Sequence, residues 1–176
     1  MWKSVTTNAG KALFSQWVAG KTLNIASAAS GEGVVQEEYL MAQTSLVAQK
    51  QTLSIIKMQQ VEDGIRLQLQ CTNTDLSAAY TINQIGVWAK LDDGEPVMVA
   101  IFQDDTGVGV PSHDEMPDYV FTFYAIIQVS NVEDITVNID TSALVSQADL
   151  EQIVNKMKVL IYFDDDGYPT WERVDE

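Results

Sequence analysis

Two pairs of alternating apolar runs, each joined by an acidic turn that ends in Gly, constrain this chain more than any other feature. QTLSIIKMQQV and IRLQLQCTN flank Glu62-Asp63-Gly64, and YTINQIGVWAKL and EPVMVAIFQ flank Asp92-Asp93-Gly94. A period of two puts the apolar side chains on one face of an extended strand, and Asp-Gly supplies the positive φ that a tight hairpin needs. The runs predict two antiparallel hairpins in tandem. YVFTFYAIIQVS and ITVNID add two further β-rich runs, and VLIYF and PTWERV, on either side of Asp164-Asp165-Asp166-Gly167-Tyr168, predict a third hairpin.

Helical spacing occurs near each end. Thr6, Thr7 and Asn8 are cap formers before AGKALFSQWVAG, in which Leu13, Phe14, Trp17 and Val18 share a face and Gly20 is the stop. SQADLEQIVNKMK carries Ser146 as a cap and Leu150, Ile153, Val154 and Met157 on one face, which predicts a C-terminal helix. Between the first helix and the hairpins, TLNIASAAS reads as a strand that breaks at Gly31-Glu32-Gly33. The segment from Val35 to Ala48 fits either a short helix or an irregular crossover. Residues 104–118, with two Pro, two Gly and five acids, read as a long surface loop. The expected class is α+β and mainly antiparallel β: an N-terminal helix, a sheet or sandwich body, and a C-terminal helix plus β-hairpin. The expected division is a body over residues 1–140 and an appendage over 141–176.

With 176 residues, 46% of them apolar, the chain can bury a substantial core. Its charge is lopsided: the net is −15, and residues 91–155 hold 13 Asp and Glu but no Lys or Arg. Such a field repels phosphate backbones and anionic headgroups, so nucleic acid and membrane surfaces are poor partners. It equally suits a basic patch on a partner subunit, or plain solubility. The single Cys71 excludes an intramolecular disulfide. No export signal opens the chain and no stretch approaches 18 uninterrupted apolar residues, so it reads as soluble and unprocessed.

Chemistry-bearing residues are sparse. Ser112-His113-Asp114 has the composition of a triad, but triads assemble from residues distant in sequence, and neighbours in an extended loop point apart. A Cys71–His113 pair would need Cys71 freed from its strand. The calcium-loop pattern fails around Gly167, where Tyr162 and Arg173 occupy ligand positions. One Cys and one His cannot fill a zinc site. Asp104, Asp105, Asp114, Glu115 and Asp118 could gather a calcium ion, although a hydrated anionic loop is the simpler reading. Gly31-Glu32-Gly33 and Gly107-Val108-Gly109 lack the third glycine and the lysine of a phosphate cradle and read as turns. Met58, Trp88, Met98, Phe102, Phe121, Phe123 and Tyr124 read as core. No catalytic, cofactor-binding or metal-ligating residue is assigned, and no cofactor is expected.

Several stretches taken together resemble a known family. Thr7-Asn8-Ala9-Gly10-Lys11-Ala12-Leu13, then Gly31-Glu32-Gly33, then Ile85-Gly86-Val87-Trp88-Ala89 are similar, in order and spacing, to the N-terminal domain of phage tail-collar fibre and tail-fibre proteins. That family shows a T-x-x-G-x-x-L helix, a G-[DE]-G loop and an I-G-V-aromatic-A strand. Glu95 to Phe102, a strand after the turn, and the run from Val132 to Asp140 extend the likeness to most of residues 5–140. The resemblance implies a non-enzymatic virion component, made in the host cytoplasm and residing in the tail, that fixes fibres to the tail or baseplate. Its implied partners are other tail, baseplate or fibre subunits, with trimers typical of the family's fibres. Members commonly continue into a long shaft and receptor-binding tip, whereas this chain stops at Glu176, which favours an adaptor, baseplate component or short fibre over a full fibre. The seam Leu150, Ile153, Met157 and Leu160 fits a and d positions of two heptads and offers a self-association element, although packing of that face on its own domain is the simpler reading, so only weak association in isolation is expected. The rival readings are a carbohydrate-binding module using Trp2, Trp17, Trp88 or Trp171 as a platform, and, last, a hydrolase.

Overall fold

The computed structural model describes residues 1–18, 21–61, 64–128, 137–139, 159–163 and 169–173. By contact the chain divides into two units, Met1–Leu144 and Val145–Glu176.

The first unit is built on one mainly antiparallel sheet. β1 (Lys3–Thr6) leads into helix α1 (Asn8–Val18). There follow β2 (Leu23–Glu32), a 3-10 helix (Glu37–Ala42), β3 (Ala48–Val61), β4 (Gly64–Thr72), β5 (Tyr80–Leu91), β6 (Val97–Val110), β7 (Val120–Gln128) and β8 (Val137–Ile139). The spatial order is β1-β6-β5-β2-β3-β4-β7, with β8 running parallel to β2 at Leu23–Ile25. The two tandem hairpins form as expected: Val61 faces Gly64 across the β3–β4 turn, and Ala89 faces Val97 in β5–β6. β2 then inserts between them, pairing β5 on one side and β3 on the other.

The sheet curls until its ends meet. Trp2, just ahead of β1, meets Phe123 of β7 with ring centroids 5.0 Å apart and the planes tilted by 60°, and Phe123 also meets Phe102 of β6 edge-on at 5.4 Å. Inside the curl, Leu53 and Ile55 of β3, Ile65, Leu67 and Leu69 of β4, Ile85 and Val87 of β5 and Ile127 of β7 are at most 3% exposed, and α1 adds Leu13, Phe14 and Trp17 to the same core. Curling allows one sheet to bury a face against itself, which a flat sheet cannot do. On the other face a smaller cluster of Ala29, Leu40, Leu46, Met98 and Ile101 lies under the 3-10 helix and the chain that follows it. β6 is therefore covered on both sides, which explains its unbroken apolar run VMVAIF.

The structure corrects the sequence reading at several points. Residues 104–118 are not one loop, because β6 continues to Val110 and pairs Tyr80 with Val110 and Ile82 with Val108; the irregular segment is confined to residues 111–119. Gly107-Val108-Gly109 is accordingly strand and not a turn. Between Ile82 and Gln84 the register jumps from Val108 to Gln103, so residues 104–107 bulge opposite Asn83. Gly107 carries the bend at φ +67, where a Cβ would lie 2.5 Å from the Ile82 carbonyl oxygen. Gly31 and Glu32 belong to the end of β2. Residues 35–47 combine both alternatives, a 3-10 helix within an irregular crossover, and Ala48 already opens β3. β1 was not anticipated: it is four residues long and carries no alternation to betray it.

The second unit shows the third hairpin, β9 (Val159–Phe163) paired antiparallel with β10 (Pro169–Arg173). Leu160 is thus a strand residue and cannot complete a helical seam. The proposed helix from Ser146 to Lys158 lies outside the described residues.

Candidate functional site

The residues singled out for chemistry have structural employment. Ser112 Oγ accepts the Glu115 amide at 3.3 Å while the Glu115 carboxylate accepts the Ser112 amide at 3.1 Å, the reciprocal pairing of a capping box. Ser112-His113-Asp114 is therefore the start of a capped turn. The His113 amide donates to the Leu76 carbonyl at 2.8 Å, and its Nδ1 is buried without a hydrogen-bond partner. The whole segment hangs on Asn73, which is 0% exposed. The Asn73 amide group donates to the carbonyls of Pro111, Ser112 and Met116 at 3.1, 3.1 and 2.7 Å, and its Oδ1 accepts the Tyr119 amide at 3.1 Å.

Cys71 meets Gln51 Oε1 at 3.3 Å and the Tyr80 hydroxyl at 3.7 Å, and Tyr80 also bonds Ser30 Oγ and Gln51 Oε1, each at 2.8 Å. Burial pushes the Cys71 thiol above its ordinary pKa, so it is a poor nucleophile. Burial likewise raises Tyr80, only partly opposed by the Ser30 bond. Neither group is tuned for proton transfer near neutrality.

The loop acids do not converge. Asp104 binds the terminal ammonium of Met1 at 2.9 Å and the Thr106 amide at 3.0 Å, and the ammonium, then the amide, hold its carboxyl below the usual range. Glu115 is committed to its turn. Among the described residues no three His, Cys, Asp or Glu side chains gather into a metal site. Of the tryptophans, Trp17 is 5% exposed and Trp2 packs against Phe123 and the core, which leaves neither as a platform. Trp88 is half-buried and lines a shallow cleft of about 120 Å³ with Ser27, Gln49, Thr52 and Pro96. Met98 and Phe102 are core as expected, and Met58, Phe121 and Phe123 pack against it. Tyr124 is not: it is 53% exposed on the outer face of β7.

The residues of the three family-like stretches do have precise roles. Thr7 is the cap of α1. Its Oγ1 accepts the Gly10 amide at 2.9 Å and donates to the Met98 carbonyl, while its amide donates to the Val99 carbonyl at 3.0 Å. Gly10 lies against β6 so closely that a Cβ would stand 2.3 Å from the Val99 oxygen. The T-x-x-G pattern thus locks the helix start onto the sheet. Glu32, between Gly31 and Gly33, accepts the Thr81 amide at 3.1 Å and pairs with Lys50 at 2.7 Å; Lys50 first, then that amide, depress its pKa. In Ile85-Gly86-Val87-Trp88-Ala89, Ile85, Val87 and Ala89 point into the core, and Gly86 leaves room for the Trp88 ring, which a Cβ would meet at 2.7 Å.

One arrangement carried no recognisable sequence signal. Gln84 and Gln103, 0% and 4% exposed, bond each other at 2.8 Å on the sheet. Gln103 brackets Val35, accepting its amide at 3.0 Å and donating to its carbonyl at 2.8 Å, and Gln84 accepts the Val47 amide at 2.9 Å. The pair fastens both ends of the crossover over the smaller core. Two glutamines nineteen residues apart on different strands look like any polar position until the strands are paired.

A family model described as phage tail-collar fibre protein, N-terminal, matches residues 1–149. No match was found among curated proteins or among solved structures.

Proposed function

Because the chain belongs to the phage tail-collar fibre family, matching its N-terminal model, and so has a structural role in a phage tail fibre, we propose that it is the non-catalytic part that attaches a fibre to the tail or baseplate. The family match carries this reading. It is supported by what the family-like residues do, since Thr7, Gly10, Glu32 and Gly86 brace a curled sheet and do not line a reaction cleft. The buried Cys71 and Tyr80, both pushed above their ordinary pKa by burial, suit a structural part and not a catalytic one. Its partners are other tail components, bound as the virion assembles in the host cytoplasm. Immunogold electron microscopy of particles should place the protein on the tail, and deletion of its gene should yield particles without fibres. Protein found only free in the cytoplasm, never in assembled particles, sinks the proposal.

A second reading, glycan binding, is favoured by one observation: the half-buried Trp88 beside the hydroxyls of Ser27 and Thr52 and the amide of Gln49. Binding on a glycan array that is lost in Trp88→Ala would support it, and a silent array would remove it.

A further inference from the structure

The outer face of β3, β4 and β7 differs in character from the rest of this acidic chain. Lys57, Arg66, Tyr124 and Ile126 are exposed there, with Gln59 and Gln68 between them. The register sets Arg66 opposite Ile126 and Gln68 opposite both Tyr124 and Lys57, so these side chains form one patch. The Arg66 guanidinium lies 4.9 Å over the Tyr124 ring. The ion pairs seen among the described residues join Lys3 to Glu37, Lys50 to Glu32 and the Met1 ammonium to Asp104, and none involves Lys57 or Arg66. An exposed Arg, Tyr and Ile together, uncompensated in a protein of net charge −15, has the composition of a binding patch for an acidic partner.

The same chain carries such a partner. Residues 111–119 expose Asp114, Glu115 and Asp118 around Met116, itself 53% exposed, and Asn73 holds this loop in one shape before any contact is made. It meets β7 at Val120, six residues from Ile126, or about 20 Å along the strand. Tyr124 is four residues from the same point, about 13 Å, and the bonds from Asn73 hold the loop at this end of the strand and off its own patch. We propose that it docks on the patch of a second copy of this chain, acids to Lys57 and Arg66, and Met116 to Tyr124 and Ile126. The inference does not depend on the attachment role.

Sedimentation of the full chain at about 100 μM tests it. Wild type should self-associate, with a dissociation constant at least tenfold larger at about 0.5 M salt than at about 0.02 M. K57E/R66E and D114K/D118K should each be monomeric, and an equimolar mixture of the two should regain association within about threefold of wild type. If K57E/R66E melts early, K57Q/R66Q replaces it, with at least tenfold weakening expected. A monomeric wild type, variants that associate like wild type, or a mixture that stays apart would each overturn the proposal. Association that appears only with another tail subunit would overturn it equally.

Discussion

Gly10→Ala sets helix propensity against tertiary packing, and the two disagree on sign. Inside a helix Ala is favoured over Gly by about 0.8–1 kcal/mol, so α1 taken alone would gain. Against β6 the new Cβ would stand 2.3 Å from the Val99 oxygen and 2.8 Å from its Cα, both backbone atoms that cannot rotate away. The helix start must lift by roughly 1 Å. Overpacking of this kind costs about 1–3 kcal/mol. Lifting also stretches the bonds that Thr7 makes to Met98 and Val99, worth about 0.5–1.5 kcal/mol each. Packing wins, for a net loss of about 3 kcal/mol, which in a domain of this size is a fall in melting temperature of about 6–12 °C. Thermal unfolding by circular dichroism measures it, with Ala12→Gly on the exposed side of α1 as the control for propensity alone, expected to cost about 1 kcal/mol. A Gly10→Ala protein that melts at or above the wild-type temperature would show that α1 does not press on β6 through Gly10.

Asn73→Ala removes the buried group that ties down residues 111–119; a loss of about 2–4 kcal/mol in chemical denaturation is expected, with earlier protease cleavage in that segment, and an unchanged denaturation midpoint would refute the anchoring role. Cys71, buried and with its thiol pKa raised, should react with a thiol reagent only after unfolding; rapid labelling of the native protein at neutral pH would contradict its placement. Because the folded-state pKa of Glu32 is lowered, its contribution to stability is present above the ordinary carboxylate range and is lost as pH falls through the depressed value. The stability gap between wild type and Glu32→Gln should accordingly close in acid, and a gap that widens as pH falls would refute the sign.

The β-rich class, the two tandem hairpins and the apolar face of α1 were legible in the amino-acid sequence because they depend on local periodicity: alternation marks a half-buried strand, and Leu13, Phe14 and Trp17 recur at the helical step. The order and spacing of the three family-like stretches were legible for the same reason, being patterns along one line. Pairing between distant strands was not. Residues 104–110 read as loop because Asp and Gly disfavour strands, yet β5 offers its edge and the chain extends along it through a bulge at Gly107. Tyr124 read as core because β7 alternates apolar residues on both faces, and only the curl of the sheet decides which face is inside. The buried Gln84–Gln103 pair, the Asn73 anchor and the cationic face around Arg66 arise from residues that meet only after the sheet has closed. Local preferences act over a few residues and can be read one window at a time. The burial of a polar or charged group depends on which strands lie beside it, and that is settled only when the tertiary structure forms.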